Sequence, residues 1–305
     1  VEQVRDKKVK SLLLLIVLVS TALGNQEKLF RDALGTPYSP SSPPQRIVSL
    51  APNITEILFA LDLEERIVGV TRYCDYPPKA LAKEKIGGMV DPNLEKIKSL
   101  NPDLVIGFRG NPLRILERLK KLKTPVFVLE MGSNFESVFA IIETVGKITK
   151  TERKAEVIIT SMKKKYSKLQ LALQSVIHKP KVFLSLHGMG LWTCGKESFL
   201  HDLLIKAKGV NIAGRISRKW LNYNQEQLIH DNPEIIVILA KSEKEFAQAG
   251  DWIRRGSHLE SLRAVQEDRI YFLDQNLATR PGPRLIDALA QLGRLFHPEQ
   301  FKEIR

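Results

Sequence analysis

The stretch Gly190-Leu191-Trp192-Thr193-Cys194-Gly195-Lys196 has glycines and a lysine at nearly the spacing of a loop that cradles phosphate. Glu197 follows, where such a loop needs a Ser or Thr hydroxyl for Mg²⁺, and Leu191 and Trp192 crowd the nest. A nucleotide-hydrolysing site is therefore not expected. His187, Cys194 and His201 lie close in sequence, and imidazole with thiolate suits transition metals. Their spacing matches no structural zinc pattern and no His-rich tract accompanies them, which favours isolated loop histidines. No nucleophile with a base and an orienting group can be assembled, so an enzyme is not expected. Two carboxylates remain, Glu95 and Glu226, and both stand at the same place in a repeated segment.

That repeat comprises 14 residues, 93–106 and 224–237, aligned without a gap. Each copy reads as a short helix, an Asn-Pro stop and a buried strand. An Asn opens the helix as a cap, and a Glu in the first turn meets the positive end of the helix dipole, worth about 0.3–1 kcal/mol. Pro after Asn cannot continue the helix, and a β-branched apolar run follows.

Around the first copy the pattern predicts strands at 46–50, 67–70 and 125–129, with helices at 52–61 and 113–122. Around the second it predicts strands at 181–186 and 270–273, with helices at 197–207 and 284–296. Alternating strands and helices imply mainly parallel sheets with flanking helices. Ser133-x-x-Glu136 has the form of a capping box opening a helix to Gly146. A second helix spans 151–177, with Ala155, Ile159, Met162, Tyr166, Leu169, Leu173 and Val176 on one face. At 1.5 Å per residue it is about 40 Å long, enough to join two lobes and restrict them to modest closure.

The fold class is thus α/β, with two lobes joined by a long helix. The expected boundaries are an export signal at 1–24, a loose Pro/Ser-rich lead-in at 25–45, an N-terminal lobe at 46–132, a helical connector at 133–178 and a C-terminal lobe at 179–305. The export reading rests on Arg5, Lys7, Lys8 and Lys10 before the apolar run from Leu12 to Val19, with small residues Ala22 and Gly24 at the cut. That run falls short of the ~20 apolar residues of a membrane span. The first cysteine is Cys74, so none stands near the cut for lipid attachment. The mature chain is expected to be a soluble periplasmic monomer, with membrane anchoring by an uncleaved signal as the alternative.

Lys and Arg number 47 against 34 acids, a net charge of +13, and 43% of residues are hydrophobic. The lysines are dispersed, without zinc-finger spacing or an aromatic-basic RNA-binding pattern, so nucleic acid is not an expected partner. Only Cys74 and Cys194 occur, one in each lobe, and both are read as unpaired thiols.

A ligand between two such lobes meets the loops beyond the strand ends. The candidates there are Tyr73, Phe108, Arg109, Trp192, Trp220 and Arg280. Rings match the apolar faces of a wide guest, and Tyr or Arg donors match its polar edge.

The chain resembles the helical-backbone periplasmic binding proteins that feed ABC importers of cobalamin, iron-siderophores and haem. The resemblance covers about residues 46–297 and is carried by 46–56, Tyr73-Cys74-Asp75-Tyr76-Pro77-Pro78, Asn93-Leu94-Glu95, Asn101-Pro102-Asp103-Leu104-Val105, Phe108-Arg109-Gly110, Gly195-Lys196-Glu197-Ser198 and Arg280-Pro281-Gly282-Pro283-Arg284. It implies a transported ligand rather than a cofactor, with cobalamin or a related corrinoid first and an iron-siderophore or haem second. It also implies that Glu95 and Glu226 dock onto arginines of ABC permease subunits. Two features depart from the cobalamin-binding members. Phe108 stands where they carry Trp, and 276–279 lacks their acid and aromatics. A metal-dependent enzyme on the same scaffold is the alternative of a different class.

Overall fold

The computed structural model describes residues 29–186, 190–256 and 258–302. The expected export segment and His187 lie outside these residues. The described chain starts with an antiparallel hairpin, β1 (Phe30–Arg31) and β2 (Pro37–Tyr38). This corrects the loose lead-in. Ala33 N–H donates to the Val128 carbonyl at 2.7 Å, and Tyr38 stands edge-on to Phe127 with ring centroids 5.6 Å apart. Asp32 is buried and accepts from the N–H groups of Leu34 and Thr36. Tyr38, the backbone bond of Ala33 and the Asp32 turn thus order a stretch whose Pro and Ser content alone suggested no structure.

The N-terminal sheet comprises β3 (Ile47–Ser49), β4 (Ile67–Val70), β5 (Leu104–Phe108) and β6 (Val126–Leu129), all parallel in the order β4-β3-β5-β6. The C-terminal lobe contributes β7 (Lys181–Ser185), β8 (Trp192–Cys194), β9 (Val210–Asn211), β10 (Trp220–Asn222), β11 (Ile235–Ala240) and β12 (Ile270–Asp274). Its main sheet is parallel in the order β12-β11-β7-β9, while β8 and β10 form an antiparallel pair apart from it. Counted within each lobe, both main sheets run second-first-third-fourth. The lobes share a topology, and the repeated segment supplies the helix before the third strand in each.

The local chemistry of the repeat is the same in both copies. Asn93 Oδ1 accepts from Lys96 N–H at 2.9 Å, and Asn224 Oδ1 accepts from Gln227 N–H at 3.0 Å. The helices Leu94–Ser99 and Gln225–Asp231 then end at Asn101 and Asn232, each with φ of 43°. Asn tolerates this left-handed turn better than most side chains, and the Pro behind it prevents further helix.

Alternation along the strands sorts the core into layers. Ile47, Leu104, Ile106 and Phe127 face one way, with Val182, Leu184, Ile235 and Val237 of the other lobe, into a single continuous cluster. The opposite faces pack separately, Val48, Val105 and Val128 in one cluster and Phe183, Ile236 and Ile238 in another. The lobes are therefore fused through their inner faces.

The helix Glu152–Ala172 bridges them within that shared core. Its 21 residues give a length of about 32 Å, shorter than the expected span because the chain leaves the helix at Leu173. The anticipated stripe holds: Ala155, Met162, Leu169 and Leu173 are buried, and Ile159, Tyr166 and Val176 pack against them. The helix Ser137–Thr149 crosses it so closely that a Cβ on Gly146 would lie 2.6 Å from the Ala155 Cβ. The capping box expected at Ser133 and Glu136 does not form. Asn134 Oδ1 accepts from Ser137 N–H at 2.8 Å, while Glu136 pairs with Lys206 at 2.7 Å, because the helix starts one residue beyond Glu136. No described helix is long and apolar enough to cross a membrane.

Candidate ligand cleft between the lobes

Parallel strands place all their carboxyl ends at one edge of a sheet, where loops gather into a crevice. Here the loops after β3, β5 and β6 face those after β11 and β12 across a cavity of about 740 Å³. A second cavity of about 520 Å³, reached by Leu186 and Trp192, shares Phe199, Trp220, Gln275 and Thr279 with the first. Tyr73 and Phe108 line the main cavity from one lobe, and Trp220 lines it from the other. Trp192 lines the adjoining cavity, and it and Trp220 stand in the antiparallel strands β8 and β10 rather than in the loops expected for them, because the chain pairs these two short segments across the cleft wall. Tyr73, Trp192 and Trp220 are 51%, 45% and 41% exposed, leaving large apolar surfaces facing the cleft.

Phe108 is held from behind. Its N–H donates to Asn111 Oδ1 at 2.9 Å, and the buried Asn111 amide donates to the Leu50 and Met89 carbonyls at 3.2 and 2.9 Å. The ring folds over Gly110, where a Cβ would lie 2.2 Å from it. Glycine in the aromatic-Arg-Gly step is thus a packing requirement.

The two arginines fare differently. Arg109 is absent from the cavity lining; it turns to the N-terminal hairpin, donating to the Ala33 carbonyl at 3.0 Å with Glu130 at 3.5 Å. Arg280 lines the cavity floor, but its Nη1 donates to Glu56 at 3.1 Å and to Asp75 at 2.5 Å, and its Nη2 to the Tyr73 carbonyl at 3.2 Å. Arg284 completes the cluster, gripping both oxygens of Glu56 at 2.8 and 2.6 Å. Burial works against the Arg280 charge, and the hydrogen bonds from its guanidinium to Asp75 and Glu56 outweigh it, raising its pKa. Burial likewise pushes the Asp75 carboxyl up, but Arg280 holds it below the usual range. Glu56 and Asp75 belong to one lobe and both arginines to the other. These pairs pin the lobes at the base of the cleft.

Sequence reasoning overlooked Met89, Met131, Phe199, Arg72, Lys219 and Lys241, all in the lining. Lys241 directly follows β11, so the strand-end rule that selected Tyr73 and Phe108 also marks it. The methionines and Lys219 lie in loops without periodicity, and no local pattern distinguishes them.

Glu95 and Glu226 are exposed in the first turns of their helices, and neither carboxylate forms an ion pair among the described residues. Each helix runs back along the strand it precedes. Its N-terminus therefore lies toward the carboxyl edge of its sheet, and neither acid lines the cavity itself. Beside Glu226, Asn222, Gln227 and His230 line a groove of about 570 Å³.

Cys74 and Cys194 are buried and free. Burial pushes the Cys194 thiol up to about 12, so it stays protonated and unsuited to metal. Asn211 lies between it and His201, donating to the Cys194 carbonyl at 2.9 Å and 3.2 Å from His201 Nδ1. No group of three or more His, Cys, Asp or Glu able to hold a metal occurs among the described residues. The phosphate-loop lookalike is excluded by its backbone, since Trp192–Cys194 is strand β8 paired with β10.

A family model described as periplasmic binding protein matches residues 47–277. An uncharacterized ABC transporter substrate-binding lipoprotein, YvrC of Bacillus subtilis (strain 168), is 30% identical, with 89% of this chain and 86% of that protein aligned. The vitamin B12-binding protein of Vibrio cholerae serotype O1 is 30% identical over 82% of this chain and 88% of its own length. The crystal structure of the periplasmic vitamin B12-binding protein BtuF of Vibrio cholerae superposes with a TM-score of 0.71 at 26% identity, covering 86% of this chain and 99% of that one. The two-lobed α/β body thus superposes on a solved vitamin B12-binding protein, and the chain belongs to the periplasmic binding protein family.

Proposed function

We propose that this chain is the exported substrate-binding component of an ABC importer, working in the periplasm as a monomer, and that its ligand is cobalamin or a related corrinoid. The observation that carries this reading is a cleft with aromatic rings on both walls, Tyr73 and Phe108 opposite Trp220, with Trp192 lining its extension. A corrin has broad apolar faces and a rim of amides, and such a guest is gripped by rings on two sides with few directed polar groups. The names of the Bacillus and Vibrio relatives supply the importer role and the ligand class. No reaction is part of this function; capture, limited closure and release suffice.

Glu95 and Glu226 are proposed to meet basic groups of the permease, one per lobe. Two exposed carboxylates on one rigid body set orientation and encounter rate more than affinity. A second reading, haem or a ferric siderophore, is favoured by the lysines of the lining, which suit carboxylate or catecholate oxygens better than amides.

Calorimetric titration of the purified protein with cyanocobalamin, ferric siderophores and haemin separates these readings. Saturable heat with cyanocobalamin alone is the expected outcome. Tight binding of an iron chelate with none of cobalamin transfers the assignment to the second reading. Reversing Glu95 and Glu226 together should abolish transport while ligand affinity stays unchanged; normal transport would leave both acids a structural role only.

A further inference from the structure

The two walls of the cleft differ in the freedom of their charges. Arg72 lines the cavity but is committed to Asp91, with Nη2 at 2.7 and 2.5 Å from its two oxygens. Arg280 is committed to Glu56 and Asp75. On the C-terminal wall Lys219 and Lys241 are exposed, and neither ammonium forms an ion pair or hydrogen bond among the described residues. Glu197 lines the same wall as an unpaired carboxylate, leaving two free cations against one free anion. The facing N-terminal wall offers Tyr73, Phe108, Met89 and Met131, and its charged groups, Arg72 and Asp75, are both committed to partners.

Both lysines project from fixed backbone. The Lys219 carbonyl accepts from Gly195 N–H at 3.2 Å, immediately before β10, and Lys241 N–H donates to Glu245 Oε2 at 2.8 Å, immediately after β11. Their side chains are therefore tethered at the rim of a cavity that a bulky guest would dry. An ammonium losing water there costs free energy unless the guest supplies an acceptor, and an anionic oxygen is the strongest one available.

We infer that Lys219 and Lys241 form an anion subsite that fixes how the guest lies, with its apolar face on the N-terminal wall and an edge bearing a phosphodiester or carboxylate on the C-terminal lysines. This rests on the carrier function proposed above and narrows it to chelates with such an edge. Lysine suits the task because its compact charge on a flexible stem follows an anionic oxygen without demanding bidentate geometry. Glu197 opposes the same group, so its neutralisation should tighten binding.

Matched probes test this directly. Cyanocobalamin carries a phosphodiester in its nucleotide loop, and dicyanocobinamide lacks that loop. Haemin carries two propionates, and its dimethyl ester carries none. Each is titrated into the full chain and into the double variant Lys219→Gln/Lys241→Gln. The expected result is a loss of about tenfold or more for the anionic member of a pair, and little change for its neutral partner. Lys219→Arg/Lys241→Arg should restore the anionic member. Equal losses for both members, or none for either, would overturn the subsite, and retained binding of the neutral probe certifies the variant's fold. If the wild-type chain binds neither pair, the corrinoid and haem readings fail and the subsite falls with them, while the titration with ferric siderophores decides the carrier assignment separately. Cobalamin selectivity points to the phosphodiester and haemin selectivity to the propionates.

Discussion

The N-terminal and C-terminal lobes share a strand order, a capped helix before the third strand and a left-handed Asn ahead of Pro. They diverge where the ligand would lie. One wall is rich in aromatic and Met side chains, its arginine tied to a neighbouring acid, while the other carries two unpaired lysines beside Trp192 and Trp220. The repeat thus preserves a scaffold element in both lobes, while the cleft-facing residues differ, the C-terminal lobe adding the β8–β10 pair that carries Trp192 and Trp220. At the base of the cleft the lobes are again unequal, one giving Glu56 and Asp75 and the other Arg280 and Arg284.

That junction offers the largest effect. Glu56→Ala leaves two half-buried or buried guanidinium groups without their shared partner, and breaking such a buried pair costs about 3–5 kcal/mol. Chemical denaturation should show this loss. A change below about 1 kcal/mol would mean that the cluster behaves like exposed ion pairs.

Next comes the contrast between the walls. Trp220→Ala should lower chelate affinity by about 2 kcal/mol, roughly thirtyfold, while the denaturation midpoint moves little because Trp220 lies outside the buried core. If Tyr73→Ala costs the same, the two walls grip equally. If Trp220 alone matters, the guest is held from one side. Measured affinity against an unchanged far-ultraviolet spectrum decides between these.

The caps probe what the lobes have in common. Asn93→Ala and Asn224→Ala each remove one helix N-cap and should cost about 1 kcal/mol, matched between lobes. Unequal losses in thermal unfolding would show that the copies no longer play equivalent structural roles.

The smallest effect is a lobe-specific acid response. Burial pushes the Asp231 carboxyl up, but hydrogen bonds from Arg215, Tyr223 and His230 outweigh it and hold it at about 2. A carboxyl lowered on folding stabilises the native state above its unfolded pKa, near 3.9, and that contribution disappears as pH falls towards about 2. Leu100 occupies the matching place in the other copy and cannot titrate. Hydrogen exchange between pH 4 and about 2 should therefore loosen the helix Gln225–Asp231 before Leu94–Ser99, and Asp231→Asn should remove the difference.

Arg109 explains why part of the site was illegible. Its place after β5 marked it for the ligand, by the same rule that selected Phe108 correctly for the lining. The hairpin at Phe30–Tyr38 intercepts its guanidinium, and that hairpin was hidden in a Pro/Ser-rich stretch with only two strand residues on each side. Arg280 repeats the lesson, since its partners Glu56 and Asp75 lie 224 and 205 residues away. Glu136 shows the same competition on a smaller scale, leaving its expected cap for Lys206.

Local chemistry alone determined the α/β class, the duplicated helix-stop-strand unit, the buried stripe of the bridging helix and the strand ends beside which Tyr73 and Phe108 lie, but not the β8–β10 pair that carries Trp192 and Trp220. Each depends on neighbours within one or two turns of chain, where periodicity, capping and proline act directly. The tertiary structure alone decided which charges are spent and which stay free. A guanidinium is satisfied by whatever acid or carbonyl folding brings within about 3 Å, so Arg72, Arg109 and Arg280 are occupied while Lys219 and Lys241 are left facing the cleft.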